Sequence, residues 1–267
     1  MLRDRFGRRI DYLRLSVTDR CNLRCVYCMP PEGVPLVRHR DVLSFEEIVA
    51  FVRTAVESGI RKVRVTGGEP LLRRGIVHLV SMLAVIDGID DFAMTTNGTM
   101  LREYAEALKE AGLHRLNISL DTLDPDRYRE ITRGGDVNRV LDGIEAALEA
   151  GFENTKLNCV VSASSSEPDA QAVRGFAERK GLQARFIRKM DIHNGEFWVV
   201  EGGTGGDCPS CNRLRLTSTG LLKPCLFSDI SFSIRALGAK DALEKAVQNK
   251  PESGYRSTEN TFYGLGG

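Results

Sequence analysis

YLRLSVTDRCNLRCVYCMP, residues 12–30, opens as a β-rich run and closes on three cysteines within eight positions. Cys21, Cys25 and Cys28 stand in a C-x3-C-x2-C spacing, followed by Met29, Pro30 and Pro31. The spacing is uneven and only three thiols are present, whereas a tetrahedral structural zinc site takes four ligands. Three thiolates can instead hold three irons of a [4Fe–4S] cluster and leave the fourth iron open to an exogenous ligand. On this stretch alone, zinc and simple burial of the thiols stay open as alternatives.

Outward from this loop, short β-rich runs alternate with amphipathic helical stretches to about residue 190. The runs fall at 12–17, 62–66, 91–95, 115–120, 156–161 and 184–188. Between them lie SFEEIVAFVRTAVESG, with Ser44 and Glu47 as a capping box and Gly59 as its stop, LREYAEALKEAG, and NRVLDGIEAALEAG ending at Gly151; a further helix opens at Pro168 and ends near Gly181. This alternation predicts a parallel sheet. Run one leads into the cysteines, run two into TGGEP, run three into TTNG, run four into SLD and run six into Arg188, Lys189 and Met190. Such residues at the carboxyl ends of nearly all strands fit a ring better than a single crevice. The expected fold is therefore α/β, a partial (β/α)6 TIM-like barrel over residues 1–190 with a C-terminal extension over 191–267.

The totals narrow the function class. Among 267 residues, 37 Lys and Arg against 36 Asp and Glu leave a formal charge of +1, which argues against general attraction to nucleic acid or membrane. The first residues contain no long apolar stretch and no run reaches spanning length, so a cytoplasmic protein with reduced thiols is expected. Seven cysteines sort as two triplets, Cys21, Cys25, Cys28 and Cys208, Cys211, Cys225, with Cys159 alone on a strand. An odd count favours ligand clusters over disulfides. The second triplet, C-x2-C-x13-C, again lacks a fourth cysteine, although Asp207 could complete a zinc site. Arg213 and Arg215 sit between its cysteines at alternate positions, so an extended chain would point both to one side, and their planar forks suit phosphate oxygens. His39, His78, His114 and His193 are scattered and form no ligand pair.

CNLRCVYC resembles the defining motif of the radical S-adenosylmethionine (SAM) superfamily, and VTGGEP, residues 65–70, resembles its SAM-amine-binding stretch. Together with YLRLSVTDRCNLRCVYCMP, KVRVTGGEPLLR, TTNG, NISLDTLDP and CPSCNRLRLTSTGLLKPCLF, the chain resembles, over most of 5–190 and 207–228, the GTP 3′,8-cyclase family of molybdenum-cofactor synthesis. The resemblance implies SAM and two [4Fe–4S] clusters as cofactors. Cys21, Cys25 and Cys28 would bind the cluster that cleaves SAM to a 5′-deoxyadenosyl radical, and Cys208, Cys211 and Cys225 an auxiliary cluster. SAM would lie against Tyr27, Gly67, Gly68, Glu69, Thr95, Ser119 and Met190. Arg14, Arg64, Lys156, Arg185, Arg213 and Arg215 would hold the nucleotide, GTP, with Arg213 and Arg215 also catalytic. The resemblance further implies an electron donor such as a flavodoxin or ferredoxin, a downstream enzyme, and allows a homodimer. The tail FYGLGG is similar to a double glycine that reaches the active site in this family.

Two departures stand out. The chain is shorter than the family between Met190 and Cys208, where only DIHNGEFWVVEGGTGGD spans the distance, and RFIRKM places Arg188 where an acidic residue is usual. Both lie beside the expected substrate cavity and leave the cluster and SAM motifs intact. The readings weighed against a GTP cyclase are a radical SAM enzyme of another nucleotide or a peptide, and a non-enzymatic zinc-binding protein.

Overall fold

Side-chain alternation along six parallel strands sorts the residues of this chain into a helix-covered face and a polar interior. In a computed structural model describing residues 1–265, the strands are β1 (Tyr12–Ser16), β2 (Lys62–Thr66), β3 (Asp91–Thr96), β4 (Arg115–Ser119), β5 (Lys156–Val161) and β6 (Gln183–Arg188). They alternate with α1 (Phe45–Ser58), α2 (Ile76–Ala84), α3 (Leu101–Glu110), α4 (Pro125–Thr132), α5 (Val137–Glu149) and α6 (Pro168–Arg179), two of which lie between β4 and β5. Leu13, Leu15, Val63, Val65, Phe92, Met94, Leu116, Ile118 and Leu157 face the helices and form one continuous core with them. Cys159 is buried in that core, as expected of a strand residue. The intervening positions, Arg14, Arg64, Thr66 and Asn117, are buried polar groups on the other face.

The helix signals act as the sequence suggests. Ser44 Oγ accepts from the Glu47 N–H at 3.2 Å while Glu47 Oε2 accepts from the Ser44 N–H at 2.7 Å, and Gly59 ends α1 at φ 121°.

The sheet holds more strands than the six expected. β7 (Arg213–Leu216) pairs in parallel with β1, and β8 (Leu221–Lys223) and β9 (Phe232–Ser233) extend it antiparallel. The order is β6-β5-β4-β3-β2-β1-β7-β8-β9, an open, curved barrel wall. Leu214 and Leu216 continue the apolar face of β1, which explains why this segment zips onto it. Beyond lie α7 (Ile234–Leu237), α8 (Ala239–Gln248), which packs against α1, and α9 (Phe262–Leu265). On the opposite edge, Glu201 exchanges both backbone hydrogen bonds with Phe186 of β6 at 3.1 Å each. The double glycine of the tail, Gly266 and Gly267, lies outside the described residues.

Candidate active site

The strand ends converge on a cavity of about 550 Å³ lined by β1 to β7 and by both cysteine triplets. That volume is within the range of small-molecule sites. The first cysteine loop is pinned to the end of α4. The Arg24 and Val26 N–H groups donate to Thr132 O (3.1 Å) and Ile131 O (2.9 Å). Arg133, at φ 55° in the left-handed cap of α4, donates to Arg24 O at 2.9 Å and Met29 O at 2.6 Å, bracketing Cys25 and Cys28. Tyr27 Oη donates to Asp121 Oδ2 at 2.7 Å, and the buried Asp121 carboxyl is pushed up to about 6 by desolvation.

Cys21, Cys25 and Cys28 are free and partly buried. Burial, with the charge of Cys21 added, pushes Cys28 up to about 12; burial, with Asp121 next, pushes Cys25 higher still. Thiols so placed become thiolates when a metal takes the proton's place. Among the described residues no three His, Cys, Asp or Glu side chains converge closely enough to hold one metal ion. A cubane takes each thiolate on a different iron and so needs them farther apart than a single tetrahedral ion does. A donor set of three free thiols is the one that a cluster with an open fourth iron would take. Asp207, the candidate fourth zinc ligand, instead accepts from the Ser210 hydroxyl.

The GGEP turn packs directly beneath this loop. The Gly68 N–H donates to Thr18 O (2.8 Å) and the Glu69 N–H to Arg20 O (2.7 Å). A Cβ on Gly68 would sit 2.3 Å from Arg20 O, so glycine is needed for the approach of two backbones. Gly67, Gly68, Thr95, Ser119, Met190 and Tyr27 all line the cavity. Glu69 is not among the lining residues. It is fully buried and accepts from Leu71 N–H (3.0 Å), Thr96 Oγ1 (2.8 Å) and Asn97 N–H (2.7 Å), clasping TGGEP to TTNG. Burial pushes its carboxyl up to about 7 against those hydrogen bonds. Its place is in the scaffold rather than on the cavity wall.

Along the barrel axis the interior side chains fall in rows. Tyr12, Lys62, Asp91 and Arg213 share one row at the amino-terminal ends of the strands, and Arg14, Arg64 and Arg215 share the next. Arg115, Lys156 and Arg185 add their charges to this basic end, and Thr66, Thr95, Ser119 and Asn158 line the same cavity; the first cysteine loop follows the carboxyl end of β1, whereas Cys211 stands two residues before Arg213. Asp91 and Asp207 are the carboxylates among the described lining residues; Asp91 grips Arg115 bidentately at 2.8 and 2.6 Å. Desolvation, then neighbouring cations, lowers Arg14, Arg64 and Arg185, brings Arg215 to about 10 and Lys156 to about 8. Tyr12 Oη, Thr95 Oγ1, Arg64 Nε and Arg185 Nε are buried without a hydrogen-bond partner among the described residues. Crowded, desolvated cations with unsatisfied donors make a receptor for a polyanion.

Cys208, Cys211 and Cys225 line the same cavity. The Gly254 N–H points at Cys208 Sγ (3.5 Å). Burial raises Cys225, whereas Cys211, though also desolvated, is drawn below its ordinary value by Lys250 and Arg213. Arg213 and Arg215 do face one side together. Arg213 donates to Thr204 O (3.1 Å) and Oγ1 (2.7 Å), so the glycine-rich stretch reaches β7 as well as β6. Arg188 stacks 3.8 Å above the Trp198 ring, and Phe197 lies 4.6 Å from Phe227.

The sequence reading missed Tyr12, Lys62, Arg115 and Lys250. For the first two the signal was present: Tyr12 and Lys62 each stand two residues before a predicted inward arginine, and strand side chains repeat every second residue.

Comparison with known proteins bears on this geometry. Residues 15–172 match the profile of the Radical SAM superfamily. The GTP 3′,8-cyclase of Petrotoga mobilis is 39% identical over 312 aligned residues, covering 97% of this chain and 96% of that protein. The enzyme of the same name from Alkaliphilus oremlandii is 42% identical over 299, covering 94% and 93%. Alignments longer than this 267-residue chain that reach across nearly all of it mean that these relatives carry several tens of residues absent here. Among solved structures, Streptococcus suis SuiB bound to S-adenosylmethionine superposes with TM-score 0.65 at 15% identity, covering 92% of this chain and 65% of that one. Methylornithine synthase (PylB) gives 0.52 at 18%, covering 69% and 55%. These two likenesses concern the fold. With its superfamily profile and its near-full-length relatives, the chain belongs to the radical SAM superfamily and, within it, to the family of the GTP 3′,8-cyclases.

Proposed function

We propose that this protein cyclises GTP by radical SAM chemistry, in the synthesis of a molybdopterin precursor. The observation that carries the proposal is a single cavity whose basic end, suited to a triphosphate, adjoins the second cysteine triad, while the first triad lines the same cavity. Cys21, Cys25 and Cys28 would hold one [4Fe–4S] cluster and Cys208, Cys211 and Cys225 the other; the first, with SAM bound, would supply a 5′-deoxyadenosyl radical. Gly67, Gly68, Thr95, Ser119, Met190 and Tyr27 wall the SAM side, and Glu69 fixes the turn beneath it. Arg14, Arg64, Lys156, Arg185, Arg213 and Arg215 bind and orient the nucleotide, whose triphosphate carries about four negative charges near pH 7. The ribose C3′ hydrogen leaves to 5′-deoxyadenosine, C3′ bonds to guanine C8, and one electron with one proton completes a product isomeric with GTP. Residues 1–190 make the six βα strands of the barrel, and the remainder, the auxiliary region, adds β7 to β9 to the same sheet. An electron donor of flavodoxin or ferredoxin type and a downstream enzyme complete the scheme in the cytoplasm; a homodimer is compatible with it. No helix among the described residues is long and apolar enough to cross a membrane.

One observation favours a second reading, a different nucleoside triphosphate. The stretch that pins Glu201 to β6 and Thr204 to Arg213 is short where the family resemblance leads one to expect a longer segment, and the relatives carry residues that this chain lacks. Anaerobic SAM cleavage in the presence of GTP, ATP, CTP, UTP or GMP separates the two. The GTP reading requires that GTP stimulate cleavage most and GMP little; stimulation by another triphosphate alone supports the second, and no nucleotide stimulation removes both.

A further inference from the structure

The auxiliary triad has a charged neighbour that no sequence motif singled out. Lys250 follows α8 and is 1% exposed. Its ammonium donates to Arg213 O at 2.8 Å and Pro224 O at 2.6 Å. Arg213 lies two residues after Cys211, and Pro224 immediately precedes Cys225. One side chain thus ties together the two chain segments that carry these cysteines, and it lies beside both thiols.

The surroundings hold this lysine and the next four residues in place. The Gly254 N–H points at Cys208 Sγ, and Arg8 donates to Cys208 O (2.8 Å), Pro251 O (2.5 Å) and Glu252 O (2.7 Å). Arg8 is itself neutralised by the buried Asp4 at 2.6 Å. Lys250 differs. No carboxylate among the described residues lies within ion-pair distance of it. A buried ammonium with only carbonyl acceptors is costly unless a negative charge stands nearby. An ammonium has three N–H donors, and two are used on carbonyls. The negative groups that the fold brings to it are the cysteine sulfurs.

We propose that Lys250 is a positioning residue of the auxiliary [4Fe–4S] site, whose positive charge balances the thiolate-bound cluster and favours its reduced state. This rests on the proposed reading of the second triad as a cluster site. A fixed cation close to an iron–sulfur centre favours the form with more negative charge, so it raises the reduction potential.

The test uses the full-length, anaerobically reconstituted chain and its K250Q and K250R variants. Iron and sulfide are counted, and potentiometric EPR separates the cluster whose signal responds to SAM from the one whose signal does not. Wild type should hold about eight irons and eight sulfides per chain; about four would remove the auxiliary-cluster reading itself, before any variant is compared. Given about eight, K250Q should shift the SAM-insensitive midpoint to more negative potential, or lose that cluster alone, and K250R should restore the wild-type value. An unchanged midpoint and cluster content in K250Q overturns the proposal. So does an equal shift or loss in both variants, because that would mark a packing role indifferent to charge.

Discussion

Lys156 shows how single residues in the basic end report on their ligand. Desolvation and the cations Arg185, Arg115 and Arg64 bring its ammonium to about 8, below the ordinary lysine value of 10.5. A triphosphate beside it adds negative charge and moves it back up, so between about pH 8 and 9.5 the complex binds more protons than the separate partners. GTP binding at pH 8.5 should therefore take up protons, and affinity should fall as pH rises through about 8. Calorimetry in buffers of different ionisation enthalpy would read this as a buffer-dependent heat, much reduced in K156M. Buffer-independent heats would show that Lys156 does not meet the anion. Lys156 was legible in the sequence through the family resemblance. Arg115 was not, because its companion Asp91 comes from a neighbouring strand and the bidentate pair exists only once β3 and β4 are in register.

At the scale of elements, the βα units were readable because their signals are local: a capping box at Ser44, glycine stops, and β-rich runs within a residue or two of the observed strands. The stretch from residue 190 to β7 was not, because glycines and cysteines erase periodicity; the alternation of Arg213 and Arg215 was legible, but the place of β7 is set only by pairing with β1, about two hundred residues earlier. Equally non-local is the seat of the first cysteine loop on the end of α4. There Arg133 occupies the left-handed region, where a non-glycine residue costs about 1 kcal/mol. R133G relieves that cost while removing the hydrogen bonds to Arg24 O and Met29 O. The apo fold should keep its thermal midpoint to within the equivalent of about 1 kcal/mol, whereas iron should leave the first triad several-fold faster under chelator challenge. Iron release at the wild-type rate would show that the clamp does not hold the cluster loop.

For the whole molecule, the two triads sit in different parts of the chain yet share one cavity, and the core does not depend on the second. The main hydrophobic core lies between the sheet and its helices, while Leu226, Phe227, Ile192 and Leu265 form a separate small cluster near the auxiliary triad. Replacing Cys208, Cys211 and Cys225 by alanine should thus leave the barrel folded and halve the iron from about eight to about four per chain, with the SAM-responsive signal retained. Loss of both clusters together would show that the auxiliary region is needed to assemble the first.

Anaerobic turnover with SAM, reductant and GTP deuterated at C3′ decides whether the radical made at the first triad is spent on a nucleotide anchored by the basic end. The expected result is deuterium in 5′-deoxyadenosine and a cyclised nucleotide that, made from unlabelled GTP, has the mass of GTP; 5′-deoxyadenosine free of deuterium, formed at the same rate without GTP, would overturn this.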